Sequence, residues 1–384
     1  MNWKIPLYNL NIDDKEIDAI NKVINSNWLS MGMETKKFEQ EFATKLGIPE
    51  DCSVAVNSGT AALHTAMHII GVGPGDEVLV PSLTFVASAA CVMMVGAKPV
   101  FIDSSSTHDF NLNPSDIISK ITKNTKAIIV VHYGGYSSDM EAILKIASEY
   151  NLKVIEDVAH GPIVKSKHGV LGTLGDIGCF SFFATKNITT VEGGMLVCRN
   201  PKIIEKAKLF RSHCMNTDSF TKHNGRASSY DVNGVGMNYR MTDLAATMGR
   251  VQLEKWEIQQ HRREEIVTQY RSHLLKIEKI ILPYAHVPVK NSSHHIFSLL
   301  LNSSEERDRL AEYLRDRGIQ TSIHYPPCHL FSYYKENLQT FEGMCPIAEE
   351  IGRRQLSLPL YPDLTFDEVN LVCQSIKDFF HEKG

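Results

Sequence analysis

The chain has 384 residues, 43% of them hydrophobic and 22% charged, and 40 basic against 44 acidic residues leave a net charge of −4. That length exceeds what one growing core holds, so two units are expected, and the near-balance of charge speaks against a nucleic-acid surface as the main business. Eight scattered cysteines without a C-x-x-C pair offer neither a disulfide framework nor a zinc site, so reduced thiols and no metal are expected.

Along the chain, residues 12 to 45 mix charged and apolar positions at helical spacing, interrupted at NWLSMGME. The N-terminus, MNWKIPLYNL, lacks the charged-then-apolar pattern of a signal peptide. The pattern then changes to alternation. CSVAVNSGTAALHTAMHIIG reads as strand, small-residue turn and helix; DEVLVPSLTFVASAACVMMVG and KAIIVVHYGGYSSDMEAILKIASEYN repeat that order; KVIEDVAH is a further short strand ending in acids. Strand–helix alternation predicts an α/β unit with a largely parallel sheet. FVASAACVMMVGAKPVF, the most apolar stretch, is broken by Gly96, Lys98 and Pro99 and is too short to span a bilayer. A soluble, cytoplasmic protein with no membrane partner is therefore expected. From about residue 245 a long helical pattern begins. The last hundred residues mix strands (HHIFSLLL, QTSIHY) with helices (EERDRLAEYLRDRG, FDEVNLVCQSIKDFFHEK), an α+β pattern. The expected division is a large unit over 1–250, including the N-terminal helical segment, and a small one over 251–384.

In such sheets ligands bind at the carboxyl ends of strands, where this chain puts Asn57-Ser58-Gly59-Thr60, Ser82-Leu83-Thr84-Phe85 and Glu156-Asp157. The turn at Gly59 and Thr60 opens a helix, which suits a phosphate; it equally suits a plain helix cap, with Ser58 or Thr60 satisfying backbone donors. No Walker loop is present, because no Gly-Lys-Ser/Thr follows. Asp157, ending a buried strand, fits a cation such as a protonated pyridine nitrogen, or an ordinary cap or ion pair. Ala159 leaves room for a planar ring, and His160 has a donor for a phenolate-type oxygen.

Lys186 is the residue hardest to place. It stands in FSFFATKNITTVEGGMLV, between two apolar runs that both read as buried strands. Lysine is almost never fully buried unpaired, so it either reaches water or does chemistry. A lysine desolvated among apolar neighbours loses proton affinity and becomes a nucleophilic amine. A Schiff-base lysine, an acid for a ring nitrogen and a phosphate cup are the parts that pyridoxal phosphate needs, and Lys186, Asp157 and Gly59-Thr60, with Ser181 five residues before the lysine, supply them.

The chain resembles the nucleotide-sugar aminotransferases, a DegT-type pyridoxal-phosphate family of the aspartate-aminotransferase fold (fold type I). The resemblance runs over nearly the whole chain, through NWLSMGMETKKFEQEFA, NSGTAALHTAM, GPGDEVLVPSLTFVASA, VIEDVAH, GDIGCFSFFATKNITTVEGGMLV, GMNYRMTDLAA and QLSLPLYPDLT. It implies a large cofactor-binding domain with a mostly parallel central sheet and a smaller C-terminal α+β domain. It implies that Lys186 forms the Schiff base and Asp157 pairs with the pyridine nitrogen. Thr60, the Gly59 backbone and Ser181 hold the phosphate, Phe85 stacks on the ring, and His160 approaches the ring hydroxyl. Asn238, in GMNYRM, reaches the phosphate from the other subunit of a homodimer. The implied reaction moves an amino group from an amino acid, L-glutamate by expectation, onto a nucleotide-linked keto sugar. Some relatives carry histidine in place of the lysine and dehydrate instead; lysine here favours transamination. Trp28, Leu29, His324 and Tyr325 are further substrate-contact candidates. Lys222, His223 and Arg226, in an extended segment, suit a diphosphate or are merely exposed charges. A sugar dehydratase, a cyclitol aminotransferase and a cofactor-binding regulatory sensor are the rival readings.

Overall fold

In the computed structural model, residues 3–216 and 231–382 are described. Lys222, His223 and Arg226 lie outside them. Seven strands form the central sheet: β1 (Ser53–Val56), β2 (Glu77–Pro81), β3 (Lys98–Ile102), β4 (Thr125–Val131), β5 (Lys153–Asp157), β6 (Ile177–Ser181) and β7 (Gly194–Val197). Their order is β1-β7-β6-β5-β4-β2-β3, and only β7 runs against the rest. Most strands are buried along nearly their whole length, as expected where helices cover both faces of a parallel sheet.

Two helices precede the sheet, α1 (Asp14–Asn25) and α2 (Met33–Leu46). A capping box between Asp13 and Glu16 starts α1. Helix α3 (Gly59–Ile69) follows β1, and α4 (Ala87–Met94) follows β2. One 32-residue helix, Asp243–Leu274, spans about 48 Å at 1.5 Å per residue. It passes unbroken through residue 250, packs on α1 and α2 in its first half, and enters the core of the second unit at Ile266, Val267 and Tyr270. That second core also takes in Ile5 from the N-terminal end, whose backbone pairs with Ile319. Conversely, Cys328, Tyr334 and Ile351 pack into the core of the central sheet. The two units therefore interlock along the chain instead of dividing at one point.

The second unit carries a two-stranded antiparallel sheet, β8 (Phe297–Leu300) with β9 (Gln355–Leu358). QTSIHY, expected as a strand, contributes only a single bridge, Ser322 to Ser357. Pro326 and Pro327 follow it directly and supply no backbone donors, so no ladder extends there. Among the described residues no helix is long and apolar enough to cross a membrane.

Gly249 marks where α2 meets the long helix. A Cβ there would stand 2.7 Å from both the Phe38 ring and the Thr190 methyl. Phe38 is in turn held by edge contacts from Phe182 at 5.2 Å between ring centroids, so it has little freedom to yield. Gly249→Ala gains about 1 kcal/mol of helix propensity and incurs about 1–3 kcal/mol of overpacking. The expected net is a loss of stability, read as a lower denaturant midpoint; a midpoint at or above wild type would show that α2 slides aside.

Candidate active site

The carboxyl ends of β1, β2, β5 and β6 converge on one cavity of about 400 Å³. Gly59, Thr60, Phe85, Asp157, His160, Ser181, Lys186, His324 and Tyr325 all line it. Three candidates lie elsewhere in the chain. Asn238 is exposed beyond the end of β1, its carbonyl accepting from Asn57 Nδ2 at 3.4 Å. Trp28 lines a separate surface hollow between α1 and the long helix, and Leu29 is exposed.

Strand alternation decides which of two adjacent acids faces the cavity. Glu156 turns the other way and is fully buried. It accepts backbone N–H groups from Gly172, Leu174 and Gly175 at 2.7–2.8 Å and pairs with His132 Nε2 at 3.0 Å. His132 Nδ1 accepts the Ser138 N–H, so its proton sits on Nε2 and is given to Glu156. Asp157, one residue on, faces the cavity. Its Oδ2 accepts from Ser88 Oγ at 2.8 Å, and Ser88 Oγ is itself 3.0 Å from Thr84 Oγ1; Oδ1 accepts the Ala159 N–H at 3.1 Å. Burial raises the proton affinity of this carboxyl, opposed by the Ser88 and Ala159 hydrogen bonds and by the charge of Lys186. A carboxylate so placed gains from any cation brought against it.

Helix α3 supplies the opposite end of the cavity. Ser58 is its cap, the hydroxyl accepting the Ala61 N–H at 3.0 Å, and the Ser58 carbonyl takes the Ala62 N–H. The first-turn donors of Gly59 and Thr60 have no intrahelical partner, and both residues line the cavity. Ser181 lies across from them. A Cβ on residue 59 would come within 2.7 Å of Ser181 Cβ, so the close approach of these two segments requires glycine. The cap and phosphate-cup readings are thus compatible: Ser58 satisfies one donor and leaves two facing the cavity.

Lys186 occupies the loop joining the antiparallel neighbours β6 and β7. Burial lowers its proton affinity to about 8, and Asp157 works against that fall. Its Nζ lies 3.4 Å from His295 Nε2, a residue whose only sequence signal was its place at the start of HHIFSLLL. Glu192, Ser88 and Asn187 likewise belong to the site or its support without standing out in the sequence. His160 Nδ1 accepts the Gly134 N–H, which puts its proton on Nε2, aimed at Tyr325 Oη at 2.9 Å. Burial and Lys186 keep His160 neutral, well below the usual imidazole range. His324 is similarly lowered, to about 4, chiefly by burial and then by Lys186.

Pyridoxal phosphate fits this donor set. An amine of lowered basicity, a buried carboxylate and a helix N-terminus with paired free N–H groups share one cavity. The sequence profile of the DegT/DnrJ/EryC1/StrS aminotransferase family matches residues 10–377. The chain belongs to this family. GDP-perosamine synthase of Escherichia coli O157:H7 is 36% identical over 382 residues, covering 99% of each chain. The dTDP-4-dehydro-2,3,6-trideoxy-D-glucose 4-aminotransferase of Saccharopolyspora spinosa is 37% identical over 369 residues, 94% of this chain and 93% of its own. Spr1654 of Streptococcus pneumoniae, in its PLP form, superposes with a TM-score of 0.89 at 28% identity over 100% of this chain and 99% of its own. A PMP form of the same protein is also known, as suits a family dependent on pyridoxal phosphate. As a member of this family, the chain is an aminotransferase.

A proton affinity near 8 means that Lys186 becomes a free amine at lower pH than an ordinary lysine near 10.4. Site-resolved labelling by an amine reagent should therefore rise about tenfold per pH unit up to about 8 and then level, while surface lysines keep rising. A Lys186 that labels in step with surface lysines would contradict the desolvated amine.

Proposed function

We propose that this aminotransferase uses pyridoxal phosphate to move the amino group of L-glutamate onto the keto carbon of a nucleotide-linked sugar, in a cytoplasmic homodimer with shared sites. The observation that carries the reading is the pairing, in one cavity, of the lowered Lys186 amine with the buried Asp157 carboxylate. The two curated relatives above carry a nucleoside diphosphate or a keto sugar in their names, which supports the acceptor class. All eight cysteines are free, which suits a reducing compartment.

When bound, the cofactor supplies an aldehyde that takes up the amino group and a ring that accepts electrons from the substrate carbon. Lys186 Nζ would be the amine that holds that aldehyde and, as a free amine, the base for the donor's α-proton. Asp157 would hold the ring nitrogen protonated. The Gly59 and Thr60 N–H groups and the Ser181 hydroxyl would take the phosphate, and Phe85 would cover a ring face. His160 Nε2–H would serve the ring hydroxyl, exchanging Tyr325 for it. His324 and Tyr325, which line the same cavity as Lys186, would contact the substrate, as would Trp28 and Leu29, and Asn238 would reach the phosphate from the partner subunit.

L-glutamate added to cofactor-loaded protein should move its visible absorbance band to shorter wavelength, and a nucleotide-linked keto sugar should restore it. Bound cofactor with no such change would favour a sensor, and loss of sugar hydroxyl without amination a dehydratase. Lys186→Ala should remove turnover while leaving the fold intact. Asp157→Asn should keep the cofactor yet lower the rate at least about tenfold, equivalent to about 1.4 kcal/mol of barrier; a smaller loss would make Asp157 structural.

The shared site has its own test. Asn238→Asp sets a carboxylate against the phosphate and should weaken cofactor binding. Co-expressing Lys186→Ala with Asn238→Asp chains makes half the dimers mixed, each with one sound site, so about a quarter of wild-type activity should return. No return, with mixed dimers verified by two affinity tags, would place both residues in one chain's site.

A further inference from the structure

His295 plays no part in the cofactor set above, yet it is the side-chain partner of Lys186 Nζ, at 3.4 Å. Its protonation pattern follows from a chain of hydrogen bonds. Asn187 Nδ2 donates to the Ser293 carbonyl at 2.7 Å, which fixes the amide and leaves Asn187 Oδ1 as an acceptor. His295 Nδ1 lies 3.0 Å from that oxygen, so Nδ1 carries the proton and Nε2 presents a bare lone pair to Lys186. Ser293 is itself anchored, its hydroxyl donating to the His160 carbonyl. His295 thus meets the lysine in the tautomer opposite to that of His160, whose proton is on Nε2.

We propose that His295 is a positioning residue for Lys186: its bare Nε2 accepts a hydrogen bond from Nζ and holds the amine on the cavity floor whenever it is not bonded to the cofactor. The inference rests on the reading of Lys186 as the reacting amine. The surroundings favour an acceptor over a base. Lys186 and Asn187 face His295 from the loop after β6, His160 from the end of β5 with ring centroids 4.6 Å apart, His324 from the segment before the proline pair, and Arg263 from the long helix. No carboxylate is among them, and burial together with Lys186 holds the ring neutral, well below the usual imidazole range. Lys186, at about 8, therefore keeps its proton in preference to His295. The contact orients the ammonium and stabilises it without removing its charge.

The test is the pH dependence of reductive methylation of Lys186 by formaldehyde and cyanoborohydride, read by peptide mass spectrometry on the full chain freed of cofactor. Wild-type protein should show a midpoint near 8. His295→Leu loses the acceptor, the ammonium loses its partner, and the midpoint should fall by about one unit, the lower end for a hydrogen bond to a charged group. His295→Gln, which restores an acceptor oxygen, should recover at least half of that shift. Independently, ¹⁵N-histidine spectra of wild-type protein, assigned by the signal lost in His295→Gln, should show the proton on Nδ1. An unshifted midpoint in folded His295→Leu, or a proton on Nε2, overturns the proposal. Neither measurement uses the amino donor or the keto sugar, so failure here is separable from failure of the aminotransferase reading, which the absorbance cycle with glutamate tests.

Discussion

The site depends on one constraint: an amine and a carboxylate must both be held away from water, close enough to feel each other but without forming a direct ion pair. Lys186 and Asp157 are both perturbed first by burial; Asp157 comes next for Lys186, whereas for Asp157 the Ser88 and Ala159 hydrogen bonds come before the lysine. Collapse into a buried salt bridge would raise the lysine's proton affinity back toward the ordinary range and leave a poorer nucleophile. The fold prevents this by giving each group other partners. Asp157 is engaged by Ser88 Oγ and the Ala159 N–H, and Lys186 by His295.

Those partners explain why so much of the surrounding structure is polar yet buried. Thr84 supports Ser88, Asn187 supports His295, and Ser293 supports Asn187. Behind β5, Glu156 ties the loop at Gly172–Gly175 to the strand and so holds the floor beneath Asp157. Each of these groups is satisfied, as a buried polar network must be if it is to rigidify and not destabilise. The second unit is part of the same support. His295 and Ser293 come from the segment that leads into β8, and Ser82 at the end of β2 meets His329 at 2.6 Å. Phe85 and Phe183 line the cavity and are exposed, so they mark where it meets solvent.

Much of this was legible in the sequence, and for a physical reason. Strand–helix alternation, the glycine at Gly59 and the lone lysine between apolar runs are local signals, set by the backbone period, by close approach and by desolvation within a few residues. They were enough to indicate a largely parallel sheet and to single out Lys186, Asp157, Gly59, Thr60 and Ser181, which the structure gathers around one cavity. The motifs quoted for the family resemblance are local in the same sense.

What only the tertiary structure decided are the contacts that join distant segments. His295 lies 109 residues from Lys186, and nothing in HHIFSLLL distinguishes a histidine that begins a strand from one that enters a cavity. The role of Glu156 in tying the Gly172–Gly175 loop to β5 depended on the finished sheet, and the tautomers of His132, His160 and His295 on partners contributed by other loops. QTSIHY read as a strand because its composition allows one, but it meets the free edge of β9 only at Ser322, and the proline pair that follows lacks the backbone donors a longer ladder needs. The long helix through residue 250 hid the division between units for a related reason. Helical periodicity records which face is apolar, not which of two cores that face enters.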